Sequence, residues 1–530
     1  MLTTFKTFRV LDESGWTELA NTLAESESVV LTSIFEEASE RGCKSVLVEF
    51  PYVDRDFSAA FSSFYSTLFR PYKKLCRRLH FFTDDLSRLS LQTDPLELLS
   101  ELENASPHYM GYVVLRPLAH APISRGFFSH KHFCDRPEES VLVRAEEKVH
   151  VLGAELLVEG FPYTEQDGRT GACAQSAIWM AARHFHLKHG GPWIALPQIT
   201  ASALFPTDSS ITQSLPEGSG HLTDDGMLRA LKSMGRHPVF YAPHDSKSEE
   251  WRIDPFNLIY QYIDSGIPVI LGVDDDNGDV GHAVVAVGAV RKAQPNVDEL
   301  PNLCNPADLC SHFMVMDDCG GPYRQMPIWS AGASADWYNL EQHLKFIIVP
   351  LPNKVFMPAE KAEETAVRLL RRAAAELPVL SEHLEQEDKS SWPPERAFYT
   401  SLQGGNLLSR TYLTFGWKYK ARMLRNTVAP ALKGALLERD FPKYVWVTEF
   451  AYTAEAIALD PSDRAVRAHT VIDATGSGYW ESQLILDCPG LVAAWDFAVD
   501  GDNSSANLEP ILVGQHQQYY EKVRGRMALS

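Results

Sequence analysis

The sequence predicts an α+β protein in three segments: a mixed α/β segment over residues 1–150, a central domain over 151–350, and an α+β domain over 351–530. Three observations predict this. The 530 residues are too many for one hydrophobic core, so two or three domains are expected. Short apolar runs bounded by turn residues, as at 45–50, 283–287 and 444–452, read as strands. Longer stretches of helical periodicity lie between them, as at 173–189 and 359–377.

In the first segment, residues 45–50 (SVLVEF) read as a strand. Residues 57–79 are rich in aromatics, and Tyr65, Leu68, Phe69 and Tyr72 recur at helical spacing. A helix is expected there, kinked at Pro71. Residues 112–115 and 141–158 supply further strands, the last leading directly into a Gly-containing loop. Asp54, Asp56, Asp84 and Asp85 read as turn and surface residues. No motif in this segment carries chemistry.

The central segment does. Residues 161–188 (FPYTEQDGRTGACAQSAIWMAARHFHLK) read as a strand end, a loop, and a helix beginning at or beside Cys173 and uninterrupted until Gly190. Unpaired backbone N–H groups and the macrodipole at a helix start favour negative charge. A thiol there should lose its proton more easily, and the thiolate is the attacking form. Gln166, seven residues earlier, can aim an amide N–H at an oxyanion forming beside the sulfur.

His184, His186 and His189 read as exposed residues suited to a helix C-terminus rather than as metal ligands. Residues 192–219 read as loops. Thr223 caps a helix running through Met234 and ended by Gly235. A helix at 257–264, then Gly266, Pro268 and an apolar strand at 269–273 follow. The acidic run 274–279 (DDDNGD) is a turn: aligned with a calcium loop on Gly278, it places Val273 and Val284 where ligands are required. Gly281-His282 then opens an apolar strand. Phe313–Met316 forms another, ending in Asp317-Asp318 and a Cys319-Gly320-Gly321-Pro322 turn. Cys304, Cys310, His312 and Cys319 match no standard zinc spacing.

In chain order the chemistry-bearing residues are Gln166, Cys173, His282 and Asp317. A thiolate needs a base to take and return its proton, and the base needs an acceptor to fix its ring. Residues 155–350 here resemble the papain-like fold, and within it the C39-like cysteine peptidases. The resemblance implies a papain-like central domain with Cys173 as nucleophile, His282 as general base and acid, Asp317 as the residue orienting the histidine, and Gln166 in the oxyanion hole. Asp318 is the alternative to Asp317. The chain departs from the resemblance at Ala174, where C39-like members usually have glycine, and at Asp318-Cys319-Gly320, where papain has Ser-Trp-Gly. C39-like members often cut after paired glycines, which implies a small-residue substrate site.

The third segment begins with a linker at 350–358 and a charged helix at 359–377, with Ala362, Ala366, Leu369 and Leu370 on one side. Residues 381–391 are acidic and polar. A helix is expected at 406–425. Strands at 444–452, 465–474 and 491–497 should form an antiparallel sheet. Sequence assigns this segment no chemistry.

The formal charge is −20, from 69 acidic and 49 basic residues, which argues against nucleic-acid and anionic-membrane partners. No apolar run has transmembrane length, and residues 1–16 lack the apolar core of a secretory signal. Eight scattered cysteines suit a reducing cytoplasm. The expected function is thus a cytoplasmic cysteine hydrolase acting on a peptide or isopeptide bond of a protein or peptide substrate. No metal or organic cofactor is expected, and the flanking segments leave room for a regulatory protein partner. Two alternatives remain at this level: an acyl-transfer enzyme of transglutaminase or deamidase type on the same triad, and a catalytically silent scaffold of the same fold.

Overall fold

The computed structural model describes residues 4–23, 28–91, 94–135, 140–168, 172–204, 222–244, 250–274, 281–293, 295–296, 299–330, 338–384, 393–425, 430–457, 465–476, 482–489, 491–495 and 519–520. The chain is a mixture of helices and several sheets and forms two compact units. The first comprises Met1–Glu249, Pro268–Val290 and His312–Pro350; the second comprises Glu250–Ile267, Arg291–Ser311 and Leu351–Ser530. Among the described residues no helix is long and apolar enough to cross a membrane.

The first unit holds two sheets. One is a seven-stranded antiparallel sheet of β1 (Thr4–Arg9), β2 (Ser45–Tyr52), β3 (Cys76–Phe82), β4 (Tyr109–Leu115), β5 (Ile123–Ser129), β6 (Ala145–Val151) and β7 (Ala154–Tyr163). Its order is β1-β2-β3-β4-β5-β7-β6. Residue 150 therefore lies inside β6, in a hairpin of the same sheet that begins at residue 4. The sheet is covered by α1 (Glu13–Thr22), α2 (Val29–Glu40), α3 (Arg55–Ser63) and α4 (Pro95–Asn104) among others. Asp12, Ser28, Asp54 and Asp94 cap these helices through side-chain oxygens, each satisfying a backbone N–H left open by helix geometry.

The second sheet of this unit comprises β8 (Arg236–Tyr241), β9 (Val269–Val273), β10 (His282–Arg291), β11 (Cys310–Asp317), β12 (Gly321–Pro327) and β13 (Leu344–Pro352), in the order β12-β11-β10-β9-β13-β8. Strands β9, β10 and β11 are almost continuously apolar and buried, as expected of a sheet with both faces covered. Helices α5 (Cys173–His189), α6 (Leu196–Leu204) and α7 (Asp224–Ser233) pack on one another. Thr223 accepts from Gly226 N and Gly235 stands at φ +74°, so α7 has the cap and stop that its sequence announces.

Several expectations are corrected. Residues 57–79 are not one helix. Helix α3 ends at Ser63, a short 3₁₀ turn follows at Tyr65–Thr67, and β3 begins at Cys76. The aromatic spacing instead reflects packing around Phe57, Phe61, Tyr65 and Tyr72. Asp54 and Asp56 are buried, not surface residues. Asp54 accepts from Phe57 N and Ser124 Oγ. Asp56 Oδ1 accepts from Arg183 Nη2 at 2.7 Å and Trp179 Nε1 at 3.2 Å, pinning α3 to α5. Within 192–219 the apolar LPQITASAL forms α6 rather than loop, and 205–219 lies outside the described residues. The acidic run at 275–279 also lies outside them. His184 is buried and stacks on Phe161, because the whole length of α5 from Ala174 to Phe185 is enclosed.

The second unit is built on a six-stranded sheet. A two-residue strand, Leu303–Cys304, is followed in sheet order by β14 (Leu407–Phe415), β15 (Tyr444–Tyr452), β16 (Ala468–Asp473), β17 (Gln483–Cys488) and β18 (Leu491–Ala494). Packed with it are α8 (Pro255–Asp264), α9 (Ala359–Leu384) and α10 (Gly416–Arg425). The helix expected over 406–425 is therefore a strand followed by a helix. Residues 407–415 (LLSRTYLTF) pair along their whole length with β15, and cross-strand contacts override local periodicity. Helix α9 runs seven residues past its expected end, into the polar stretch; residues 385–391 lie outside the described residues. Helix α8 belongs to this unit because Asp264 grips Arg410 bidentately, at 2.7 and 3.0 Å, while Glu449 Oε2 takes its other arm at 3.1 Å.

Two outcomes are expected. Asp56→Ala leaves the buried Arg183 guanidinium without its countercharge and should destabilise the first unit by about 3–5 kcal/mol, read by chemical denaturation. In the second unit, burial pushes Asp487 up to about 7, above the usual 3.9 or so of an unfolded aspartate. The native state then holds that proton more tightly than the unfolded chain does, so stability falls as pH rises from about 4 through 7. Between pH 5 and 8 wild type should lose on the order of 3 kcal/mol relative to Asp487→Asn, measured by pH-dependent unfolding of both proteins.

Candidate active site

Cys173 is the first residue of α5 and is half-buried. Ala172, at the N-cap, has no side chain that can cap, while Gln175 Oε1 accepts from Ala172 N at 3.2 Å. A helix start without a side-chain cap leaves backbone N–H groups open toward whatever sits beside Cys173. The thiol donates to Gly281 O, 3.9 Å away, the residue just before His282.

His282 begins β10 and Asp317 ends β11, and these strands are neighbours in the sheet. A strand's first residue and its neighbour's last therefore meet at one sheet edge. His282 Nε2 lies 2.8 Å from Asp317 Oδ1 and 3.7 Å from Asp318 Oδ1. Tyr338 stacks on the imidazole, with ring centroids 6.1 Å apart and planes at 21°. Burial works to lower the His282 pKa, but the hydrogen bond to Asp317, the interaction with Cys173 and the charges of Asp317 and Asp318 outweigh it. The ring is raised to about 10 and is imidazolium at neutral pH.

Asp317 is buried, which alone would raise its pKa. The bond to His282, the charge of that ring and the N–H groups of Cys319 and Gly320 instead hold it below the usual carboxylate range. The turn is built for this. A Cβ on Gly320 would come 2.5 Å from Asp317 Oδ2, so glycine is required for the carboxylate to fold back onto the turn amides. Asp318 differs: burial pushes it up to about 7, eased by the His282 charge and reinforced by that of Asp317.

Gln166 is half-buried, and its Nε2 donates to Cys319 Sγ at 2.7 Å. An amide nitrogen carries two N–H groups, and among the described residues only the bond to Cys319 engages them. Its loop is anchored by residues in which the sequence signalled no chemistry. Tyr65 donates to Asp167 Oδ2 at 2.7 Å, Arg116 Nη2 donates to Glu165 O at 2.8 Å, and Ile123 N donates to Glu165 Oε2 at 3.0 Å. The seven-stranded sheet thus holds the Gln166 loop, and α3 holds the Cys173 helix through Asp56.

Cys173 and His282 open on one cavity of about 340 Å³, whose other walls include Met227, Asp274, Lys345 and Phe346. Gly272 makes room for the Phe346 ring, which a Cβ there would meet at 2.1 Å. The structure therefore gathers Cys173, His282 and Asp317 in one place with Gln166 at the edge. Asp318 and Cys319 stand with them; of these, the sequence reads Cys319 as a turn residue and as a member of a different metal set. That set is not assembled among the described residues: Cys304 lies 3.6 Å from Thr453 Oγ1, and Cys310 donates to Pro306 O.

No family model matches the chain, and no curated protein matches it.

The geometry makes a direct demand on reactivity. Iodoacetamide should label Cys173 in wild type below about pH 7, where a free thiol is largely protonated. His282→Ala should slow that labelling at least ~10-fold, with Asp317→Asn intermediate, as read by peptide mass spectrometry across pH.

Proposed function

We propose that this protein is a cysteine hydrolase of papain-like fold that cleaves a peptide or isopeptide bond. The observation that carries the reading is that Cys173 and His282 line one cavity while Asp317 holds the far side of the imidazole at 2.8 Å. In the reactive form Cys173 is the thiolate and His282 the imidazolium. The sulfur attacks the carbonyl carbon, and the second Gln166 N–H and the open amides at the start of α5 meet the oxyanion. His282 gives its proton to the departing amine, then takes one from the water that cleaves the thioester. Asp317 fixes the ring and balances its charge. Eight cysteines scattered along 530 residues suit a reducing compartment, so the proposed location is cytoplasmic.

The test is cleavage of a diverse peptide library by the full chain, with products sequenced by mass spectrometry. Wild type should yield defined products. Cys173→Ala and His282→Ala should each reduce turnover by at least ~10³-fold, and Gln166→Ala by ~10²-fold, the loss typical of one oxyanion donor. Products that persist undiminished in Cys173→Ala would overturn the reading. Products that require an added amine would move it to acyl transfer.

A further inference from the structure

We propose that His282, Asp317, Asp318 and Cys319 form a binding site for a zinc-class divalent cation, and that an ion there shuts off Cys173. The site itself stands on geometry alone; its effect on Cys173 rests on the cysteine-hydrolase reading.

These four residues each offer one ligand atom, and the four atoms lie within 4.8 Å of one another. The set is one imidazole nitrogen, two carboxylate oxygens and one sulfur. Two of its edges are short already, with His282 Nε2 at 2.8 Å from Asp317 Oδ1 and 3.7 Å from Asp318 Oδ1. A tetrahedral zinc with bonds of about 2.0–2.3 Å has ligand atoms roughly 3.3–3.7 Å apart. The cluster would widen at its tightest edge and contract by about 1 Å at its broadest to reach that shape. Three of the ligands are consecutive residues at the end of β11, and the fourth starts the neighbouring strand. This is why no spaced metal motif appears in the sequence.

Asp318 points independently to a cation. Its side chain is fully buried, and among the described residues neither carboxylate oxygen accepts a full hydrogen bond. Ser176 Oγ lies beside it, and it too completes none. A buried carboxylate without hydrogen bonds is costly. A cysteine hydrolase needs only one acid behind its histidine, and Asp317 already occupies that place. An ion between Asp318 and His282 would satisfy the second acid.

The donor set selects the metal. Thiolate and imidazole favour zinc, cobalt or copper over magnesium and calcium, which prefer oxygen alone. Four protein ligands fill a tetrahedron and leave no open position for water, which marks a closed site rather than a hydrolytic centre. On binding, Cys319 releases its thiol proton and His282 the proton on Nε2, and metal bonds to S, N and two O atoms form with no change of oxidation state. Gln166 Nε2, now 2.7 Å from Cys319 Sγ, becomes the outer donor that supports the bound thiolate.

The consequence for Cys173 is direct. The ion takes the same Nε2 that Asp317 now holds. A ring bound to a dication does not readily accept a second proton, so the thiolate loses its imidazolium and the leaving group loses its acid.

The experiment uses the full chain, stripped with chelator, reloaded with zinc or cobalt(II), and passed through a desalting column. Metal is counted by mass spectrometry, cobalt ligation is read by absorption, and Cys173 is read by iodoacetamide labelling. Wild type and Cys173→Ala should each retain about one metal per chain. Cys319→Ser, a change at an exposed position, and Asp318→Asn, a change of equal size, should each weaken retention at least ~10-fold. The cobalt form should show a thiolate-to-cobalt band in wild type and Cys173→Ala, and none in Cys319→Ser. Zinc should slow Cys173 labelling in wild type, and chelator should restore it. Equal retention in all variants, or loss in Cys173→Ala, overturns the site. Metal retained as expected with labelling unchanged overturns the switch. A Cys173 that is unreactive even without metal counts against the hydrolase reading, while the metal count still decides the site.

Discussion

The contact between His282 Nε2 and Asp317 Oδ1 is the constraint around which the first unit is arranged. It joins the first residue of one strand to the last residue of its sheet neighbour, so it exists only if β10 and β11 pair in one register. A slip of one residue would turn His282 to the opposite face of the sheet. The apolar, doubly covered strands β9, β10 and β11 oppose that slip, since it would move every buried side chain into the packing of the opposite face. The geometry of the candidate site and the core packing are thus specified by the same register.

Around this contact the remaining pieces are held by buried polar links. Asp56 ties α3 to Arg183 and Trp179 on the Cys173 helix, and Tyr65 and Arg116 tie the loop carrying Gln166. Each link spans 49 to more than 100 residues of sequence. The seven-stranded sheet, in which the sequence shows no chemical motif, acts as the frame that holds helix and loop beside the strand ends that carry His282 and Asp317. In the second unit the Arg410–Asp264–Glu449 cluster plays the corresponding role, fixing α8 against β14 and β15. Such buried ion clusters add little net stability, yet removing one member is severe.

At the site, two acids in succession take different states because their surroundings differ. Asp317 has a cation and turn amides to stabilise its charge. Asp318, one residue further, is more deeply buried, stands farther from the same cation at 3.7 Å, has a like-charged neighbour, and among the described residues accepts no full hydrogen bond. Asp317 ends the strand and Asp318 begins the turn, so both carboxylates reach His282, and the Gly320-Gly321 turn lets the first fold back onto backbone N–H groups. The same turn brings Cys319 round to Gln166, so the candidate site contains a second sulfur and a second carboxylate beside Cys173, His282 and Asp317.

Much of this was legible in the sequence because it is local. The start of α5 at Cys173, the Thr223 cap, the Gly235 stop, and the strands at 269–273, 282–291 and 444–452 each follow from residues within a turn or two of themselves. So did the candidacy of Cys173, His282 and Asp317, which rests on order and local context. What required the tertiary structure was everything set by distant partners. Residues 407–415 became a strand because β15 lies beside them, and Asp56 and His184 were buried because other elements close over them. The N-terminal strands joined one sheet with β6 and β7, and Asp318 and Cys319 came to His282 through sheet pairing. Sequence by itself determined those elements whose signals are local, and the chemically capable residues, since side-chain chemistry and local backbone preference are short-range properties. Only the fold decided which of those residues share a dielectric, a hydrogen bond and a cavity, because those are properties of neighbours that chain order does not supply.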